Sequence, residues 1–289
     1  MRIDFLNAGY FKLDGGAMHG IVPKVMWAAK SPPDEHNRCT YATRCMLLRH
    51  GGRVVLVDTG MGDKQDAKFR SHFAPHGDDS LAAGLAGLGL APGDVTDVLL
   101  THLHFDHVGG ATRRGPDGRI SPVFPNAAYW TNDAHWAWAK APNAKEAASF
   151  LPENLDPLEA SGQLDRLPVA RGRDYAWTSR ISLRPLYGHT EAMMMPLVEL
   201  DDGSRLAYCA DLIPASVHVR APWIIAYDVR PLDTLAEKKR LVGEAEADDY
   251  LLAFEHDPTL GLGRLTRDTR GRVGVREVVG DLDSLRGSV

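Results

Sequence analysis

The chain has 289 residues, 44% of them hydrophobic and 25% charged, with a formal net charge of −5. That length can bury a sizeable core, and the composition is that of a globular protein rather than a disordered or fibrous one. The acidic balance gives no general attraction to a phosphate backbone, so nucleic acid is not the expected partner. No stretch approaches the roughly 18 apolar residues of a membrane span, and Met1 to Phe11 has no basic run leading into an apolar one; the chain reads as cytoplasmic, without a membrane partner.

From the N-terminus, Arg44 to His50, Gly51-Gly52 and Val54 to Val57 read as two β-rich runs around a glycine turn, a hairpin. Cys39, Cys45 and Cys209 show no CxxC spacing and no paired framework, so they read as buried, inert thiols. Ser80 to Leu90 carries apolar residues at helical spacing. Ala91-Pro92-Gly93-Asp94 breaks it before the apolar run Val95, Val98, Leu99, Leu100, a buried strand that ends at Thr101-His102. Strand ends are where reactive groups leave the core in α/β proteins.

The region from Asn132 to Leu167, rich in Ala, Pro and Trp, reads as helix and loop laid over a sheet. Ile181 to Leu186, Met195 to Leu200, Leu206 to Ala210 and Tyr250 to Phe254 read as short strands, with a helix from about Leu235 to Ala247. Three of these strands lead into His189, Asp211 and His256. No repeat and no linker composition divides the chain, so residues 1–289 are expected to form a single domain.

Among the 12 histidines, three fall within the run Thr101-His102-Leu103-His104-Phe105-Asp106-His107-Val108-Gly109-Gly110. So many polar groups are costly to bury unless a divalent cation compensates them. In a looping segment His102 and His104 can face one side while Asp106 and His107 follow the bend to a neighbouring position, which suits two adjacent metal ions better than one. Asp58 also ends an apolar strand, where a carboxylate can accept the outer N–H of a metal-bound imidazole; before Gly60 it reads equally as a turn former. His189, Asp211 and His256, each at a strand end, supply about the number of further ligands that a dinuclear site needs.

Thr-His-x-His-x-Asp-His at 101 to 107 with Gly109-Gly110, then Gly188-His189-Thr190, Asp211 and His256 in that order, resembles the metallo-β-lactamase superfamily of hydrolases. The resemblance implies an α/β fold, an αββα sandwich with the metal site at one edge of the sheets. It implies that His102, His104 and His189 hold one metal ion, that Asp106, His107 and His256 hold the other, and that Asp211 bridges both. Leu13 to Lys24, Ala210 to Pro214 and Pro222 to Asp228 are similar to the YtnP-like quorum-quenching lactonase branch. The resemblance therefore implies a lactonase that opens N-acyl-homoserine lactones with a metal-bound hydroxide, with Asp211 orienting the hydroxide and Asp106 relaying a proton to the leaving group.

Well-studied lactonases of this kind carry a tyrosine three residues after the bridging aspartate, where this chain has Pro214. Tyr227 and His218 are the candidate replacements, Tyr227 reading otherwise as a core aromatic. Met18, Trp27, Met193 and Met194 are candidates for an acyl-chain pocket, or else simply pack the core. Histidine and carboxylate ligands suit zinc first, with manganese, iron or cobalt also compatible. The expected partner is a small ester or lactone substrate, and a homodimer is compatible with the sequence. Rival chemistries for the same residues are aryl-ester or organophosphate triester hydrolysis and thioester hydrolysis. A different class, a non-hydrolytic redox or sensor protein, would be expected to bring a flavin-binding region, and no Gly-rich strand-to-helix unit of that kind is seen.

Overall fold

A computed structural model describes residues 1–278, a mixed α/β protein. Over these residues the chain forms two compact units, one of Met1–Tyr10 with Thr43–Ala170 and the other of Phe11–Ala42 with residues 171–278.

The first unit is built on a six-stranded sheet. Its strands lie in the order Arg2–Asp14, Arg38–His50, Arg53–Val57, Asp97–Leu99, Ala128–Asn132 and Leu164–Leu167, the far ends of the first two being counted to the other unit. The hairpin expected around Gly51-Gly52 is present, with Met46 opposite Val57 in antiparallel register. From Arg53–Val57 onward the pairing is parallel, with Val57 beside Leu99 and Leu99 beside Trp130. Parallel strands are covered on both faces, and Leu56, Val57, Val98 and Leu99 are all fully buried. Leu81 and Leu85 of helix Leu81–Gly87 and Leu155 and Leu158 of helix Pro152–Ser161 complete this core. Ser80 starts the first of these helices by accepting the Ala83 N–H on its hydroxyl.

The second unit carries a seven-stranded sheet in the order Val273–Glu277, Leu262–Arg267, Leu251–Ala253, Arg205–Tyr208, Met193–Glu199, Ile181–Leu186 and Tyr175–Ala176. All pairings are antiparallel except Arg205–Tyr208 with Leu251–Ala253. Helix Pro231–Ala247 begins at a proline, which costs nothing in the first turn, and lies against strand Leu262–Arg267 with Leu241 and Ala245 buried.

Three segments depart from the sequence expectation. Residues 132 to 167 hold helices Asp133–Lys140 and Pro152–Ser161, as read, but end in the strand Leu164–Leu167, whose Leu-Asp-Arg-Leu run is too short and too charged to show a period. The 13-residue strand Arg2–Asp14 and the hairpin of Leu262–Arg267 with Val273–Glu277 were also not anticipated. In all of these, ladder hydrogen bonds rather than a clean apolar alternation hold the strand.

Candidate metal centre

In the first unit, strands Arg53–Val57 and Asp97–Leu99 run side by side, so the residues that leave their ends meet. Asp58, in the left-handed region at φ 57°, which aspartate tolerates better than most residues, accepts the Thr101 N–H on Oδ1 at 2.8 Å and the Thr101 hydroxyl on Oδ2 at 2.7 Å. Its Oδ2 also lies 3.1 Å from His107 Nδ1. Asp58 is therefore both the turn former and the imidazole partner, the two roles that the sequence left as alternatives.

The backbone holds the rest of the motif. Thr59 donates both its N–H and its hydroxyl to the His107 carbonyl, each at 2.8 Å, and Lys64 Nζ donates to the carbonyls of Gly109 and Thr112. A Cβ at Gly110 would stand 2.1 Å from the Thr59 oxygen, so the turn after His107 closes only on glycine. Between the first two histidines, the Leu103 N–H donates to His135 Nε2 at 2.8 Å, and His135 is itself set by the Asn132 side chain that caps helix Asp133–Lys140.

Proton accounting fixes which imidazole nitrogens can accept a cation. A carboxylate only accepts, so His107 Nδ1 carries the hydrogen and Nε2 keeps its lone pair. The Thr101 hydroxyl spends its one proton on Asp58, so it must accept from His102 Nδ1, 3.1 Å away. That leaves His102 Nε2 as a lone pair too, 3.1 Å from His104 Nδ1.

In the second unit the ligand candidates come from separate strand ends. His189 follows Ile181–Leu186, Asp211 sits in a single helical turn after Arg205–Tyr208, and His256 follows Leu251–Ala253. His189 Nδ1 donates to Asp228 Oδ1 at 2.9 Å, and His256 Nδ1 donates to the Ala42 carbonyl at 2.7 Å. Both Nε2 atoms are therefore lone pairs, and both face the Asp211 carboxylate: His189 at 3.2 Å from Oδ2, His256 at 3.1 Å from Oδ1. A buried carboxylate with an electron pair aimed at each oxygen is electrostatically unfavourable unless cations or protons come between. This donor set fits divalent metal ions, and His and Asp groups of the chain come close enough together to hold one.

All seven residues expected to be ligands are buried, at 8% exposure or less. Asp228, absent from the expected site, is the partner that orients His189; the sequence noted its segment but gave no spacing to link two residues 39 apart. His218 is fully buried, donates Nε2–H to the Met18 carbonyl at 2.9 Å and stacks on His19 at 5.3 Å. Burial pushes its pKa down to about 3, so it is neutral at physiological pH. Tyr227 is not a core aromatic: it is 38% exposed. Met18, Trp27, Met193 and Met194 are all core residues. Pro214 has its own task, because its carbonyl accepts the His256 N–H at 2.9 Å, a bond that needs no particular side chain. The three cysteines are buried, as expected, and none is in a disulfide.

Residues 40–113 match the metallo-beta-lactamase superfamily. A probable metal-dependent hydrolase from Staphylococcus aureus is similar at 26% identity and TM-score 0.84, over 96% of this chain and 97% of that one. AidC, a dizinc quorum-quenching lactonase solved with a product bound, shares the fold at TM-score 0.74 and 19% identity, over 96% and 94% of the two chains. The N-acyl homoserine lactonase AttM of Rhizobium radiobacter is 22% identical over 223 residues, covering 73% of this chain and 80% of the relative.

Proposed function

We propose that this chain, which matches the metallo-β-lactamase superfamily over residues 40–113 and resembles a probable metal-dependent hydrolase, is a metal-dependent hydrolase that opens lactone rings, N-acyl-homoserine lactones among them, and so acts in quorum quenching, with residues 1–289 working as one domain. The observation that carries this reading is the Asp211 carboxylate held against two imidazole lone pairs. The lactonase relatives and structural neighbours support the substrate class.

His102, His104 and His189 would hold one ion and Asp106, His107 and His256 the other, zinc being the first choice for this donor set. When bound, the ions would supply Lewis acidity at the lactone carbonyl and make water nucleophilic near neutral pH. Asp211 would contribute its carboxylate to both ions and orient the attacking water. Asp106, buried beside His107 with Oδ2 3.9 Å from His107 Nε2, would pass a proton to the ring oxygen as the acyl–oxygen bond breaks. Asp58 and Asp228 hold the imidazoles in the tautomer that presents Nε2. His218, neutral and engaged with Met18, packs the fold; Tyr227 would supply the phenol that assists the carbonyl.

A substrate panel on protein of measured metal content tests the reading. Hydrolysis of N-acyl-homoserine lactones should exceed that of aryl esters, phosphotriesters and thioesters, and prolonged chelation should abolish it. Metal-replete protein that leaves every lactone intact while cleaving phosphotriesters or aryl esters would replace the lactonase reading with that rival.

A further inference from the structure

His104 differs from the other candidate ligands of the first unit. Its Nδ1 faces His102 Nε2 at 3.1 Å, whereas its Nε2 faces a carboxylate oxygen, Oε1 of Glu146, at 3.5 Å. Glu146 is a buried acid at 3% exposure, and its other oxygen is committed: Oε2 accepts Trp138 Nε1–H at 2.7 Å and Asn143 Nδ2–H at 3.0 Å. These two donors fix the carboxylate plane and turn Oε1 toward the imidazole.

A neutral imidazole carries its proton on one nitrogen or the other, and a buried anion beside Nε2 favours the tautomer with hydrogen there. His104 then offers Nδ1 as its lone pair, on the same side as the lone pair of His102. We propose that Glu146 is the positioning residue for His104, selecting Nδ1 as the metal-binding nitrogen. Asp58 and Asp228 do the converse for their histidines, taking the Nδ1 proton and leaving Nε2 to bind. The inference rests on the metal-dependent reading above and extends it to a residue outside the expected site.

The isosteric variant Glu146→Gln makes the test sharp. With the Gln carbonyl kept by Trp138 and Asn143, its NH₂ faces His104 Nε2 and donates to it, which drives the proton to Nδ1 and blocks the metal-binding nitrogen. Glu146→Ala only removes the preference, and Glu146→Asp keeps the charge. Two measurements read this out: nitrogen NMR of the histidine side chains in zinc-loaded protein, in which a cation replaces the hydrogen that His104 Nδ1 can otherwise donate to the His102 lone pair 3.1 Å away, and zinc affinity by competition with a chromophoric chelator.

The expected results are Nε2–H at His104 in the zinc-loaded unsubstituted protein, loss of that Nε2–H in Glu146→Gln, and zinc binding weakened about 10- to 100-fold in Glu146→Gln, less in Glu146→Ala and least in Glu146→Asp. A purely structural role predicts the reverse order, with the isostere Gln the mildest change. Leu85→Ala, in the core away from Glu146, is the folding control: it should lower thermal stability and leave the His104 tautomer unchanged. Nδ1–H at His104 in the unsubstituted protein, or zinc affinity unmoved in Glu146→Gln, overturns the role of Glu146 alone. Unsubstituted protein that binds no zinc overturns the metal-dependent reading and this inference with it.

Discussion

The two ligand-bearing regions solve the same problem by opposite means. In the first unit, His102, His104, Asp106 and His107 lie within six residues, the last two in the one-turn helix Phe105–Val108, and local devices shape the segment: the Asp58 carboxylate, the Thr59 and Lys64 bonds to backbone carbonyls, and a glycine turn packed on Thr59. In the second unit, His189, Asp211 and His256 come from three strands, and the sheet order that sets Arg205–Tyr208 beside Leu251–Ala253 brings them together. A contiguous motif is stabilised by what surrounds one loop. A dispersed one depends on strand register, in which a slip of one residue would turn its side chains to the other face.

Substituting Asp211 should give the largest effect. Asp211→Asn removes the charge that both His189 and His256 face, and is expected to lower kcat/KM on lactones by about 10³-fold with loss of bound metal; elemental analysis alongside steady-state kinetics checks it. Full metal content with unchanged rate would remove Asp211 from the centre.

Asp58→Asn and Asp228→Asn compare the two regions directly. Each should weaken metal binding about 10- to 100-fold by releasing an imidazole from its orienting carboxylate. Only Asp58→Asn should also cost about 1–3 kcal/mol of stability, because Asp58 additionally holds the Thr101 backbone and hydroxyl. Equal unfolding midpoints for the two variants would contradict the difference drawn between a loop held locally and ligands held by a sheet.

Steric tests follow. Gly110→Ala in the first unit brings a Cβ to 2.1 Å from the Thr59 oxygen, and Gly188→Ala in the second brings one to 2.3 Å from the Thr234 backbone nitrogen. Each is expected to destabilise by about 1–3 kcal/mol, read as a lower midpoint in chemical denaturation. Gly110→Ala should also disturb the His107 side, since the Thr59 bonds to His107 share that contact.

The smallest effect concerns acid and the second unit only. Burial lowers His19 to about 4 and His218 to about 3 from an ordinary 6.5. Above pH 6.5 folded and unfolded chains bind the same protons at these residues, and their neutral packing is fully stabilising. As pH falls from 6.5 toward 4 the unfolded chain takes up protons that the folded chain refuses, so stability is lost over that window. His19→Phe, which keeps a ring against Trp27, should flatten the slope by about 1 kcal/mol between pH 7 and pH 5. A slope identical in the variant would show that the acid response arises elsewhere.

Much of the site was legible because its chemistry is written in residue types. The run from Thr101 to Gly110 concentrates imidazoles and a carboxylate where only a cation makes burial tolerable, and His189, Asp211 and His256 each follow a recognisable apolar strand. The partners of these residues were less legible. Asp228, Glu146 and His135 are ordinary polar residues in sequence, and the Ala42 carbonyl that accepts from His256 has no side-chain signature at all. Tyr227 and the apolar candidates were ambiguous for a related reason: an aromatic or methionine reads alike whether it packs a core or lies at a surface, and the structure buries Met18, Trp27, Met193 and Met194 while exposing Tyr227.

The sequence by itself determined the α/β class, most of the strands and which side chains are candidate metal ligands, since apolar periodicity and ligand chemistry are local properties of the chain. The tertiary structure decided which nitrogen of His102, His107, His189 and His256 keeps its lone pair. That choice depends on an acceptor at Asp58, Thr101, Asp228 or Ala42 standing about 3 Å from a ring atom, and a hydrogen bond between residues distant in sequence exists only once the chain has folded.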